Sequence, residues 1–147
     1  MREERYDEPG AAARLGTALI RRLAEVGVSI AGTRALRVRG RHTGRVRSVV
    51  VNVLTVGGVD YLVSPRGQTQ WARNVGAAGE VELGPRWARR RRRVAAVADE
   101  DKTPLLRHYL DRWHWEVKGH FGGLTLDSGD EQIRRVAPSI PVFVLAP

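Results

Sequence analysis

The stretch with the densest chemical potential is Gly40-Arg41-His42-Thr43-Gly44-Arg45-Val46-Arg47. Two glycines allow a backbone to approach a ligand closely, Thr43 adds a hydroxyl, and Arg41, His42, Arg45 and Arg47 bring cationic or cation-forming side chains. Such a turn suits a phosphate or carboxylate, because guanidinium groups grip these anions through paired hydrogen bonds and successive amides can form an anion nest. A solvated basic hairpin turn would have the same composition. The Gly-x-x-x-x-Gly-Lys-[Ser/Thr] pattern of a nucleotide-binding P-loop is absent.

A second candidate is Ser64-Pro65-Arg66-Gly67-Gln68-Thr69-Gln70-Trp71. Here a glycine beside Arg66 can present a backbone donor, and the start of a following helix favours negative charge. Trp71 can wall a flat ring or serve the core. Asn74 can bind a ligand or tie its helix to the neighbouring turn.

These residues need elements to hold them. Leu36 and Val38 alternate with Arg37 and Arg39, and after the turn the run from Arg45 to Val56 is rich in β-branched residues. Gly57-Gly58 reads as a two-residue hairpin turn, and Tyr61 to Val63 as a third antiparallel strand. Thr69 caps a short helix through Trp71, Val75 and Ala78 that Gly79 ends. Val81 to Leu83 starts another strand, and Trp87 to Val97 returns as a strand at its far end. Its run Arg89 to Arg93 cannot all point inward, so a sheet edge or barrel rim with solvated guanidinium heads is expected. Thr103-Pro104 reads as a helix start, with Leu105, Leu106, Tyr109, Leu110 and Trp113 as its apolar stripe. Ile133 to Leu145 suggests one or two final strands broken by Pro138 and Pro141.

Upstream, residues 1–10 form a charged tail expected to be disordered. From Ala11 to Val26, Leu15, Leu19, Leu23 and Val26 recur at helical spacing opposite Arg14, Arg21 and Arg22. This amphipathic helix packs on the domain or lies on an acidic membrane face. The fold class that follows is α+β, a small split β-barrel of mainly antiparallel strands with helices packed outside, as one domain over residues 11–147. The 147 residues hold 25 Lys and Arg against 16 Asp and Glu, yet residues 34–93 alone contain 14 arginines and three acids. The basic character is therefore regional. The chain has no cysteine, which excludes disulfide and thiolate chemistry. It has no run of 18 apolar residues and no secretory leader pattern, so a cytoplasmic protein with at most peripheral membrane contact is expected.

Taken together, Arg41-His42-Thr43-Gly44-Arg45-Val46-Arg47, Tyr61 to Gly67, Trp71-Ala72-Arg73-Asn74-Val75 and Pro141 to Leu145 resemble the deazaflavin-dependent nitroreductase family, a branch of the split β-barrel flavin and deazaflavin oxidoreductases. His42, Thr43 and Val46 stand where that family commonly has Lys, Ser and Pro. Pro65, Arg66, Gly67 and Gln68 fall on its Ser-Lys-Gly-Gly loop, and Ala72 replaces the tyrosine of its Trp-Tyr-x-Asn-Leu.

The resemblance implies coenzyme F420 as cofactor, with FMN or no cofactor as alternatives. Arg41, His42, Thr43, Gly44, Arg45 and Arg47 would surround its phosphate and acidic tail, and Ser64, Arg66, Gly67, Trp71 and Asn74 its deazaflavin side. It also implies a homodimer. The activity would be hydride transfer from F420H2 to a quinone, nitroaromatic, enone or similar activated acceptor. A deazaflavin supplies the hydride itself, so the protein's part is positioning and charge stabilisation.

Candidate proton donors are Tyr109, His108, His114 and His120. The three histidines recur every six positions, which does not align them on one helix face, and no metal site is expected. A nucleic-acid-binding barrel is the competing class, disfavoured because few of the nine aromatics interleave with the arginines. A split barrel that binds without catalysing is the third.

Overall fold

The computed structural model describes residues 33–85, 89–117 and 121–147, the side chains of residues 33 and 114–117 excepted. The tail expected at 1–10, the helix expected at 11–26 and His120 lie outside these residues.

Six strands close into an antiparallel barrel. They are β1 (Thr33–Arg39), β2 (Val46–Val56), β3 (Val59–Val63), β4 (Glu80–Leu83), β5 (Arg90–Ala96) and β6 (Val142–Leu145), in the spatial order β1-β2-β3-β6-β5-β4. Closure hangs on the length of β2, whose first half pairs with β1 from Arg39↔Val46 to Thr33↔Asn52 and whose second half pairs with β3 from Val53↔Leu62 to Val56↔Val59. The β2–β3 turn is Gly57-Gly58, with φ of 59° and 79°, values that β-branched neighbours could not adopt cheaply.

Side chains alternate across this wall. Leu36, Val38, Val51, Leu62, Val81, Leu83, Phe143 and Leu145 fill the barrel interior. Helix α1 (Gln70–Ala78) contributes Ala72 and Val75 to that interior, so it plugs the barrel while leaving its other face to solvent. Thr69 caps it by accepting from the Ala72 amide, and Gly79 ends it at φ 68° with its amide on the Val75 carbonyl.

The outer face of β2 and β3 carries Leu54 and Val63 into a second cluster under helix α2 (Lys102–Val117) and helix α3 (Asp130–Val136). Leu106, Leu110 and Ile133 are fully buried there, each contributing on the order of 2 kcal/mol through removal of apolar surface from water. The expected barrel with helices outside it is the observed architecture.

Three local expectations are corrected. The segment from Ile133 to Val136 is helical, because Asp130 and Glu131 in its first turn and Arg134 and Arg135 in its last match the helix dipole. Only one final strand remains. Thr103 does not cap α2, which begins at Lys102 after a 3-10 turn over Asp99–Asp101; the buried Thr103 hydroxyl has no partner among the described residues, whereas Lys102 bonds Asp99 at 2.8 Å and the Ala137 carbonyl at 3.1 Å. Finally, of the two placements expected for the arginine run, the sheet edge is excluded and the barrel rim remains, since β5 pairs with β4 on one side and β6 on the other.

Candidate functional site

The basic turn between β1 and β2 sits against the first two turns of α1. Its backbone folds on itself, with the Gly40 amide donating to the Arg45 carbonyl at 2.7 Å and the Gly44 amide to the Gly40 carbonyl at 2.9 Å. The Arg45 amide donates to the Thr43 hydroxyl at 3.2 Å, and Arg39 donates to the Gly44 carbonyl at 2.8 Å. Gly44 takes φ 72°. Four of the turn's amides are thus directed at partners within the chain, the fourth being that of Arg41. An anion nest in this turn could therefore draw only on the amides of His42 and Thr43, beside the cationic side chains.

Arg41 is the best fixed of these side chains. Its amide and its Nη1 both donate to Asn74 Oδ1, at 3.1 and 2.8 Å, while Nη2 donates to Gln70 Oε1 at 3.0 Å. Asn74 is buried on α1, so one side chain joins helix and turn and orients the guanidinium. Two of the five guanidinium N–H donors meet these two acceptors, which leaves others for a ligand. His42, Thr43, Arg45 and Arg47 are exposed around it. The local surface is cationic, oriented on one side by α1 and open on the other.

The loop leading into α1 is built from within. Ser64 is fully buried, donating to the Gly67 carbonyl at 2.6 Å and lying 3.1 Å from the Thr69 hydroxyl. The Gly67 amide donates to the Ser64 carbonyl at 3.1 Å, and the Gly67 carbonyl also accepts from the Thr69 amide at 2.8 Å. The outward backbone donor expected at Gly67 is therefore corrected. Gly67 is needed for its φ of 96°, which an L side chain rarely adopts. Ser64 likewise shapes the loop that starts α1. Arg66 and Trp71 are half-buried beside it, with Trp71 packed against the barrel cluster.

Of the proton-donor candidates, the two whose side chains are described, Tyr109 and His108, lie on α2 and not at this turn. Tyr109 is 2 % exposed in the outer cluster, where its hydroxyl accepts from Asn52 Nδ2 at 3.3 Å and its ring meets Trp113 and Phe121 at centroid distances of 4.8 and 5.4 Å. His108 is exposed on α2. His114 is within α2, its side chain outside the described ones.

Of the two roles open to Asn74, the structure shows the tie from its helix to the neighbouring turn; sequence reasoning missed that Arg41 is the partner and that Gln70 shares it. The spacing of Gln70 and Asn74 by four on one helix, after a polar loop, is the signal that puts both on one face.

By sequence the chain matches no family model and no curated protein. By fold it is similar to a solved structure described as a domain-swapped dimer, with TM-score 0.55, 16% identity and coverage of 92% of this chain and 96% of that one. It is also similar to a solved F420-H2 dependent reductase, with TM-score 0.54, 17% identity and coverage of 78% and 94%. A third, an F420 reductase, aligns with TM-score 0.50, 18% identity and 95% coverage of both chains. The barrel thus has the fold of solved F420 reductases. Among the described residues no helix is long and apolar enough to cross a membrane.

Proposed function

We propose that this chain is a split-barrel oxidoreductase that binds a deazaflavin of the F420 type at the β1–β2 turn and α1. The observation that carries the reading is the Arg41 guanidinium, fixed by Asn74 and Gln70 with N–H donors to spare, amid exposed Arg45 and Arg47. The solved F420 reductases of the same fold support it.

The donor set fits the anionic part of such a cofactor, since F420 carries a phosphodiester and a polyglutamate tail and the turn offers several guanidinium groups. Arg41, Arg45 and Arg47 would hold these groups, with His42 and Thr43 beside them, and Arg66 and the Trp71 face would border the ring. When bound in its reduced form, the cofactor supplies a hydride to an activated acceptor such as a quinone, a nitroaromatic or an enone. The chain's own contribution is to orient that ring from one rigid anchor, because Arg41 is tied to the helix that plugs the barrel. A homodimer and a soluble address belong to the same reading.

The test is titration of the purified chain with F420, FMN and single-stranded DNA, following cofactor fluorescence and salt dependence. Tight F420 binding that falls at least tenfold in Arg41→Ala/Arg47→Ala is the expected result. Tight FMN binding without F420 binding would move the cofactor to the flavin, and DNA binding with a steep salt slope and neither cofactor would sink the reading.

A further inference from the structure

The opposite end of the barrel carries a cavity that this reading does not use. It has a volume of about 330 Å³ and opens between the start of β1, the end of β2, the start of β3, Leu83 and Gly84 at the end of β4, and the start of β5. Arg34 marks this end of β1 and the Arg41 turn follows the other end, so at about 3.3 Å per residue the two lie roughly 20 Å apart along the strand.

Four arginines, Arg34, Arg90, Arg92 and Arg112, face the cavity, and Asp60 is its one acid. Strand periodicity explains half of this set. In the run Arg89 to Arg93, Arg91 points outward to Glu80 and Glu82 at 3.0 and 3.8 Å, whereas Arg90 and Arg92 turn to the cavity.

Asp60, paired with Arg92, does not neutralise Arg90 and Arg112. Its carboxylate is engaged by Arg92 at 2.7 Å and by the Thr55 hydroxyl, and Arg92 also donates to the Ala146 carbonyl at 2.6 Å. Arg90 and Arg112 are exposed at the rim, and the Arg112 guanidinium lies 4.7 Å from the Trp113 ring centroid. Mutual repulsion of like charges around one concave volume is relieved by a bound anion. Val53 and Leu83 give the same cavity an apolar wall, and its volume is that of an ordinary small-molecule pocket.

We infer that this barrel mouth is a second ligand site, which takes a small organic anion with a carboxylate or phosphate head on an apolar body. The head is held by Arg90 and Arg112 against the Arg92–Asp60 pair, and the body lies on Val53 and Leu83. Binding is independent of any cofactor at the Arg41 turn.

Calorimetric titration of the full chain with phenyl phosphate, benzoate and inorganic phosphate at low salt tests this. Phenyl phosphate or benzoate should bind at least tenfold more tightly than inorganic phosphate, the preferred head telling which anion the site takes. Arg90→Gln/Arg112→Gln should weaken that binding at least tenfold. Arg45→Gln/Arg47→Gln, at the other end of the barrel, should leave it unchanged. The single replacement Arg112→Gln, on an exposed helix position that leaves the strands untouched, should weaken it at least threefold. Equal losses in both double variants, equal affinity for inorganic phosphate, or no binding by either organic anion would each overturn the site. Failure here leaves the F420 titration untouched, and the reverse also holds.

Discussion

The Asp60 carboxylate and the Arg92 guanidinium meet at 2.7 Å across the barrel end, joining β3 to β5 although β6 lies between those strands. Burial works to raise the Asp60 pKa, yet the hydrogen bonds from Thr55 and Arg92, with the fields of Arg92 and Arg34, together bring it below the ordinary value of 3.8. A carboxylate with a depressed folded pKa stabilises the fold above its unfolded pKa and loses that contribution as pH falls through the folded one. Asp60→Asn is therefore expected to cost about 1–3 kcal/mol at neutral pH, since a charged hydrogen-bonded pair is replaced by a weaker one. In urea titrations, the gap between wild type and variant should stay constant from neutral pH down to about pH 5 and narrow below about pH 4. A gap independent of pH down to pH 2 would contradict the role given to Asp60.

Asn74 separates anchoring from charge. Asn74→Ala removes the acceptor of both the Arg41 amide and Nη1, and is expected to cost about 1–3 kcal/mol because those donors lose a part-buried partner. Asn74→Asp keeps the acceptor and strengthens its bond to the guanidinium, but cancels much of its charge. Its Tm should match or exceed that of Asn74→Ala, while affinity for F420 falls about tenfold. Should Asn74→Asp bind the cofactor as well as wild type, Arg41 does not act through its charge.

The strands were legible because their alternation and turn glycines are local. Leu36 and Val38, the β-branched β2, Gly57-Gly58 and the Thr69 cap all act within a few residues. The anchoring of Arg41 by Asn74 spans 33 positions and depends on barrel closure, so a tie from Asn74 to a neighbouring turn was readable but its partner was not. The division of Arg89 to Arg93 into inward and outward sets also required β5 to be an interior strand. In α3 the misreading had a physical origin: Ile133 and Val136 look β-prone, but the charge order Asp130-Glu131 before Arg134-Arg135 outweighs them. At the turn, the glycines were readable as a tight connection, but not that its amides close on the turn itself.

That closure gives Gly40 a specific requirement. A Cβ added there would lie 3.0 Å from Thr43 Oγ1 and 3.2 Å from the Arg45 carbonyl oxygen, the acceptor of Gly40's own amide. Gly40→Ala should open the turn and cost about 1–2 kcal/mol through overpacking, read as faster hydrogen exchange at the Gly44 and Arg45 amides. Adding Thr43→Ala removes the nearer contact but not the backbone one, so rescue should be partial. Full rescue would place the strain in the hydroxyl alone.

Tyr109 offers the cleanest distinction between a core residue and a proton donor. Its ring packs at 4.8 Å on Trp113 and edge-on at 5.4 Å to Phe121, contacts that phenylalanine reproduces. Its hydroxyl accepts from Asn52 Nδ2 at 3.3 Å, a bond between two buried side chains that phenylalanine cannot make. Tyr109→Phe therefore removes the buried bond that Asn52 Nδ2 donates and should cost about 1–2 kcal/mol in chemical denaturation. In a reductase assay with a model quinone, kcat and its pH profile should be unchanged, because a hydroxyl on a residue 2 % exposed is closed off from substrate. A large fall in kcat with KM and stability retained would instead return Tyr109 to the reaction and require the outer cluster to open during turnover.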